Sequence, residues 1–103
     1  MAISNKSELF SALLRNQALL TEYGVKRCGV FGSFASGKQT DKSDVDILVE
    51  FEPGKKSFDN FMKLAFFLEE TFGRKVELVT PESLSPYIGP HILREVEYAS
   101  TGE

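Results

Sequence analysis

The mainly apolar positions Leu9, Phe10, Leu13, Leu14 and Leu20, with Gln17 among them, fall near helical spacing over residues 4–23. Ser4 supplies a cap for this predicted helix and Gly24 its stop. Residues 25–31 then run Val-Lys-Arg-Cys-Gly-Val-Phe, a strand pattern that breaks at Gly32. Residues 34–43 are small and polar, with room for one short helical turn and a loop. Residues 44–51 predict a strong strand, with Ile47, Leu48, Val49 and Phe51 fit for burial on both faces. Pro53-Gly54-Lys55-Lys56 is a turn. Ser57 caps a helix over 58–72, its core stripe made by Phe61, Leu64, Ala65, Leu68 and Phe72, and Gly73 ends it. A third strand spans 75–80. Residues 81–100 read as a helical tail interrupted at Pro86 and Pro90, with Ile92, Leu93 and Val96 packing back.

Strands alternating with helices predict an α/β (α+β) fold, one sheet covered by helices. The end of the first strand and the start of the second must meet if they share a site, so those two run antiparallel. The helix between strands two and three is long enough for a parallel crossover. The expected architecture is a small mixed three-stranded sheet.

Bulk numbers narrow the function without naming it. With 103 residues, 1–103 is expected to be a single domain. A net charge of -3 argues against holding nucleic acid by bulk electrostatics. No apolar run is long enough to cross a bilayer, and residues 1–6 lack the basic-then-apolar pattern of a signal peptide. Cys28 stands alone in an apolar segment, which excludes an internal disulfide and fits a buried thiol in a reducing cytoplasm.

The chemistry concentrates in one stretch. Gly32-Ser33 closes one apolar run, and ten residues later Asp44-Val45-Asp46 opens the next. A Gly-Ser turn lets backbone N–H groups approach a phosphate, and paired carboxylates suit a hard divalent cation such as Mg²⁺. Alternation along a strand puts Asp44 and Asp46 on one face, about 7 Å apart at Cα, with Val45, Ile47 and Val49 on the other. A solvated strand start after Asp41-Lys42-Ser43 is the other reading of the pair. Glu77, the only charge between Val76 and Val79, offers a third carboxylate; a solvent-facing edge residue is its alternative.

Residues 32–39, GSFASGKQ, nearly match the phosphate-loop pattern G-x-x-x-x-G-K-[ST]. Gln39 replaces the required hydroxyl, and a polar loop leads to a strand where that motif opens a long helix. Nor is the aspartate run an EF-hand, since Leu48 holds the third ligand position.

Gly32-Ser33 with Asp44-x-Asp46, inside GSFASGKQTDKSDVDILVEF, resembles the signature of the polymerase-beta-type nucleotidyltransferases, and specifically the minimal nucleotidyltransferase (MNT) branch. The later KVELVTPESLSPYIGPHILREV resembles the same branch. The resemblance implies the nucleotidyltransferase fold and transfer of AMP from ATP to a tyrosine hydroxyl of a partner HEPN toxin, as a type VII antitoxin. It implies two Mg²⁺ ions on Asp44 and Asp46, with Glu77 as the third catalytic carboxylate, and nucleotide contacts from Gly32 and Ser33. Phe34 and Ser36 stand where the family usually carries arginine, and Lys38 is the basic residue placed to substitute. Neither nucleic acid nor membrane is an expected partner. An antitoxin acting by occlusion and a small-molecule nucleotidyltransferase are the competing readings.

Overall fold

The computed structural model describes residues 2–99. Helices α1 (Lys6–Arg15) and α2 (Gln17–Glu22) lead into β1 (Val25–Phe31), the short α3 (Gly32–Ser36) and β2 (Val45–Phe51). Helix α4 (Phe58–Phe72), β3 (Val76–Val79), a 3-10 turn at Pro81–Ser83, α5 (Gly89–Glu95) and β4 (Glu97–Tyr98) complete the order.

The expected mixed sheet is present with one strand more, in the order β3-β2-β1-β4. β1 and β2 pair antiparallel, and β2 and β3 parallel across α4. The extra strand, β4, lies antiparallel on β1 through Gly29↔Tyr98 and Val30↔Glu97. It comes from the tail read as helical. Two residues are too few to show alternation, and β4 forms only because Gly29 admits it. A Cβ there would stand 2.8 Å from the Glu97 carbonyl oxygen and 2.8 Å from Val96. Pro90 lies in the first turn of α5, where the lack of an N–H costs nothing. Ser100, the predicted end of the tail, lies outside the described residues.

The N-terminal helix is two helices. Asn16 donates its side-chain amide to the Ala12 carbonyl at 2.8 Å, competing with the backbone ladder where α1 ends. Its cap is Asn5, not Ser4: the Asn5 side chain accepts from the Glu8 N–H, while the Ser4 N–H donates to the Glu8 carboxylate. Ser57 and Gly73 bound α4 as predicted.

Leu9, Leu13 and Leu20 of α1 and α2 and Leu64, Leu68 and Phe72 of α4 pack on one sheet face, against Cys28, Val30, Val45, Ile47 and Val49. Leu14 points outward, and Ala12 takes the buried place. Phe67 joins the core edge against Tyr23, with ring centroids 5.8 Å apart, while Phe66 is exposed. By strand parity the other face carries Arg27, Asp46, Leu48, Glu50 and Glu77.

Candidate active site

β1 ends where the chain must turn sharply, and Gly32 makes that turn at φ 72°, a conformation side chains rarely adopt. A Cβ at this position would collide with the Asp46 carboxylate. The glycine is therefore required twice, for its backbone angle and for the space the carboxylate occupies. Ser33 follows in the first turn of α3, which stops after five residues at Gly37 in the left-handed region. So short a helix agrees with rejecting the phosphate-loop match.

The carboxylates gather by register. Phe31 pairs with Asp46 on one side, and Asp46 with Glu77 on the other. Glu77 is thus the cross-strand neighbour of Asp46, on the parallel edge strand. Asp44 immediately precedes β2 and is exposed, as is Glu77, while Asp46 is half-buried between them. Burial pushes the Asp46 carboxyl up to about 6 from 3.8, helped by the negative charges of Glu77 and Asp44 and by a hydrogen bond with Glu77. Among the described residues no three His, Cys, Asp or Glu side chains form a ready metal cage. The electrostatic coupling and the missing cage are compatible. Asp46 feels both neighbours, while the outer two carboxylates stand in solvent. The donor chemistry, all oxygen and short of positive charge, fits a hard divalent cation.

The basic residues fall differently from expectation. Phe34, at the first supposed arginine position, is 0% exposed and belongs to the core. Phe34 therefore offers no polar group to a phosphate. Ser36 is exposed at the end of α3 and lines a hollow of about 260 Å³ with Gly32, Ala35, Glu95 and Glu97. Lys38 is exposed, its backbone N–H donating to the Ser33 carbonyl at 2.9 Å. Cys28 is buried away from the site, its thiol pushed up to about 12 by burial alone. Sequence reasoning passed over Arg74, which binds the loop leading to Asp44; a lone arginine between a helix-ending glycine and a strand was its only signal.

A site of this kind, a glycine turn against carboxylates at one end of a mixed sheet, is the layout of a nucleotidyl-transfer centre. The nucleotidyltransferase domain profile matches residues 15–99, and the chain belongs to that family. A protein adenylyltransferase, MntA, of Thermococcus cleftensis is 41% identical over 95% of this chain and 99% of its own length. A solved minimal nucleotidyltransferase superimposes with a TM-score of 0.80 at 30% identity, covering 94% of this chain and 98% of that one. More distant structures share the fold. One is a toxin–antitoxin solved with AMP-PNP (TM-score 0.68, 20% identity, 97% of this chain and 76% of that one). Another is the complex of a tri-AMPylated Shewanella oneidensis HEPN toxin with an MNT antitoxin (TM-score 0.65, 17% identity, 93% and 72%). No helix among the described residues is long and apolar enough to cross a membrane.

Proposed function

We propose that this chain is a Mg²⁺-dependent protein adenylyltransferase that moves AMP from ATP to a tyrosine hydroxyl of a HEPN-type toxin, and so acts as the antitoxin of a type VII pair. The observation that carries this reading is the seating of Gly32 against Asp46 with Glu77 in register beyond it. Phosphate-binding backbone and cation-binding carboxylates then share one end of the sheet. The close relationship to MntA supports the choice of a protein acceptor. The whole of 1–103 serves as one nucleotidyltransferase domain, working in the cytoplasm, where ATP, Mg²⁺ and a reduced Cys28 are found together.

Asp44, Asp46 and Glu77 would hold two cations, whose positive charge would offset the negative charge on the phosphoryl oxygens and the departing pyrophosphate. The N–H groups of Gly32 and Ser33 and the Ser33 hydroxyl hold the terminal phosphates, and Lys38 adds a cation just past α3. Glu77 accepts the tyrosine proton as the phenolic oxygen bonds to the α-phosphorus. The bond from that phosphorus to the bridging oxygen breaks, and pyrophosphate leaves.

The test incubates the protein with α-labelled ATP, Mg²⁺ and the HEPN partner. Label on a partner tyrosine, abolished in Asp44→Asn and Asp46→Asn, is the expected result. A second reading is neutralisation by occlusion, since Phe34 and Ser36 offer the phosphates no guanidinium. Variants at Asp44 and Asp46 that silence the partner as well as wild type would establish occlusion instead.

A further inference from the structure

Three segments must hold fixed positions for the candidate site to exist: the α3 turn with Gly32-Ser33, the loop that delivers Asp44, and the start of β3 that carries Glu77. One side chain outside the site touches or borders all three. Arg74 lies two residues before β3 and three before Glu77. Its Nη1 donates to the Thr40 carbonyl at 2.9 Å and to the Ser43 carbonyl at 2.8 Å. Its Nε donates to the Ile3 carbonyl at 2.8 Å. The flat guanidinium also lies over the Phe34 ring, 5.0 Å from its centroid, and Phe34 directly follows Ser33. The same junction is closed by the Val45 N–H donating to the Lys75 carbonyl at 2.9 Å.

The chemistry is specific to arginine. A planar fork can bond carbonyls from two segments while its face covers an aromatic ring; an ammonium offers a point charge and no flat face. Ser43 immediately precedes Asp44, so the bond to its carbonyl fixes the backbone that aims the Asp44 carboxylate. Partners 31 to 71 residues away in sequence meet at this one group.

We infer that Arg74 is a positioning residue for nucleotidyl transfer: it sets where Asp44 stands relative to the Gly32-Ser33 turn and Glu77, without touching the nucleotide. This rests on the functional reading above. Misplacement of a reacting group by about 1 Å costs on the order of a hundredfold in rate. Arg74→Lys keeps the charge but loses the fork and the stacking, so its kcat for AMP transfer is expected to fall about 10- to 100-fold, with KM for ATP within about threefold of wild type.

Two further readouts separate positioning from general destabilisation. Arg27→Ala, at the far end of the same sheet face, is expected to lower the melting temperature while leaving kcat at the wild-type value. In the metal-free protein, hydrogen exchange at the Ser43 and Val45 amides is expected to speed up in Arg74→Lys and not in Arg27→Ala. Wild-type kcat in a folded Arg74→Lys variant, or unchanged exchange at those amides, would overturn the proposal. A wild-type protein that transfers no AMP would defeat the functional reading instead. The amide exchange would still decide whether Arg74 holds the Asp44 loop: faster exchange upholds the placement, unchanged exchange overturns it.

Discussion

The sheet face that carries Asp46 and Glu50 has two ends, and they treat charge in opposite ways. At one end Arg27 pairs with Glu50 at 2.9 Å and lies over the Tyr98 ring at 3.8 Å, while the Tyr98 hydroxyl reaches toward Glu50 at 3.4 Å. The pairing holds the Arg27 guanidinium above its ordinary pKa, chiefly through the Glu50 hydrogen bond. Four residues along β2 from Glu50, Asp46 has no cation beside it among the described residues; its neighbours across and along the chain are Glu77 and Asp44, both negative. One strand thus presents a neutralised carboxylate and an unneutralised one roughly 13 Å apart. A fold selected for stability alone would not leave the second in this state. Under the proposed function, a bound divalent cation would supply the missing positive charge.

Asp46→Asn should break this contrast most completely. Removing the carboxylate charge from the charge-poor end is expected to lower AMP transfer at least about a thousandfold, the scale of several kcal/mol of lost charge stabilisation. The fold should survive, because the substitution relieves repulsion. Circular dichroism beside a labelled-ATP assay reads both; near-normal transfer would show that this end is not the reaction centre. Gly32→Ala comes next. It places a methyl group against the Asp46 carboxylate and strains a backbone held at φ 72°. Loss of about a hundredfold in rate is expected, with a melting temperature lowered by an amount equivalent to roughly 1–2 kcal/mol. An alanine variant as active as wild type would mean that the turn and the carboxylate need not be so close.

The charge-poor end was largely legible in the sequence, and the reasons are local. Gly-Ser, Asp-x-Asp and a single Glu in an apolar strand are short-range signals, as are the Ser57 and Gly73 caps that bound α4. β1 could be read to the residue because its apolar run is flanked by glycines. What could not be read depended on distant contacts or on side-chain direction. β4 exists through pairing with a strand almost 70 positions earlier in the chain. The break at Asn16 depends on which way one amide turns. Phe34 occupies a position associated with arginine by resemblance, and only the packing reveals that residue 34 faces the core. Arg74 shows the limit most clearly, since nothing adjacent to it hints at the three carbonyls it gathers.

The remaining imbalance can be sharpened by pH. Asp46 titrates near 6 in the folded protein against an ordinary 3.8, so the folded state holds its proton more tightly than the unfolded chain does. The stability from that proton is complete below about pH 4 and is lost as pH rises through about 6. Metal-free wild type should therefore lose stability relative to Asp46→Asn between about pH 4 and 6.5. The difference should be about 1–2 kcal/mol once solvent screening is allowed for. Denaturant unfolding of both proteins in chelator measures it, and a difference that stays flat across this range would remove the claim of an uncompensated carboxylate. Adding Mg²⁺ should stabilise wild type and leave Asp46→Asn nearly unchanged.

The smallest effect belongs to the balanced end, and it is the control for all the others. Arg27→Ala removes the Glu50 ion pair and the cover over Tyr98, but both partners stay near solvent: the Arg27 side chain is 47% exposed and that of Glu50 24%. Water replaces most of what the guanidinium provided, so the loss should be about 0.5–1 kcal/mol. That loss should shrink further at high salt, because the pair is screened. Transfer activity per folded molecule should not change, since the affected groups lie at the opposite end of the face from Asp46. Melting curves at low and high salt, read beside kcat, test both halves of this statement. A fall in kcat would mean that the two ends communicate through β2, and that charge balance at Glu50 helps to set the position of Asp46.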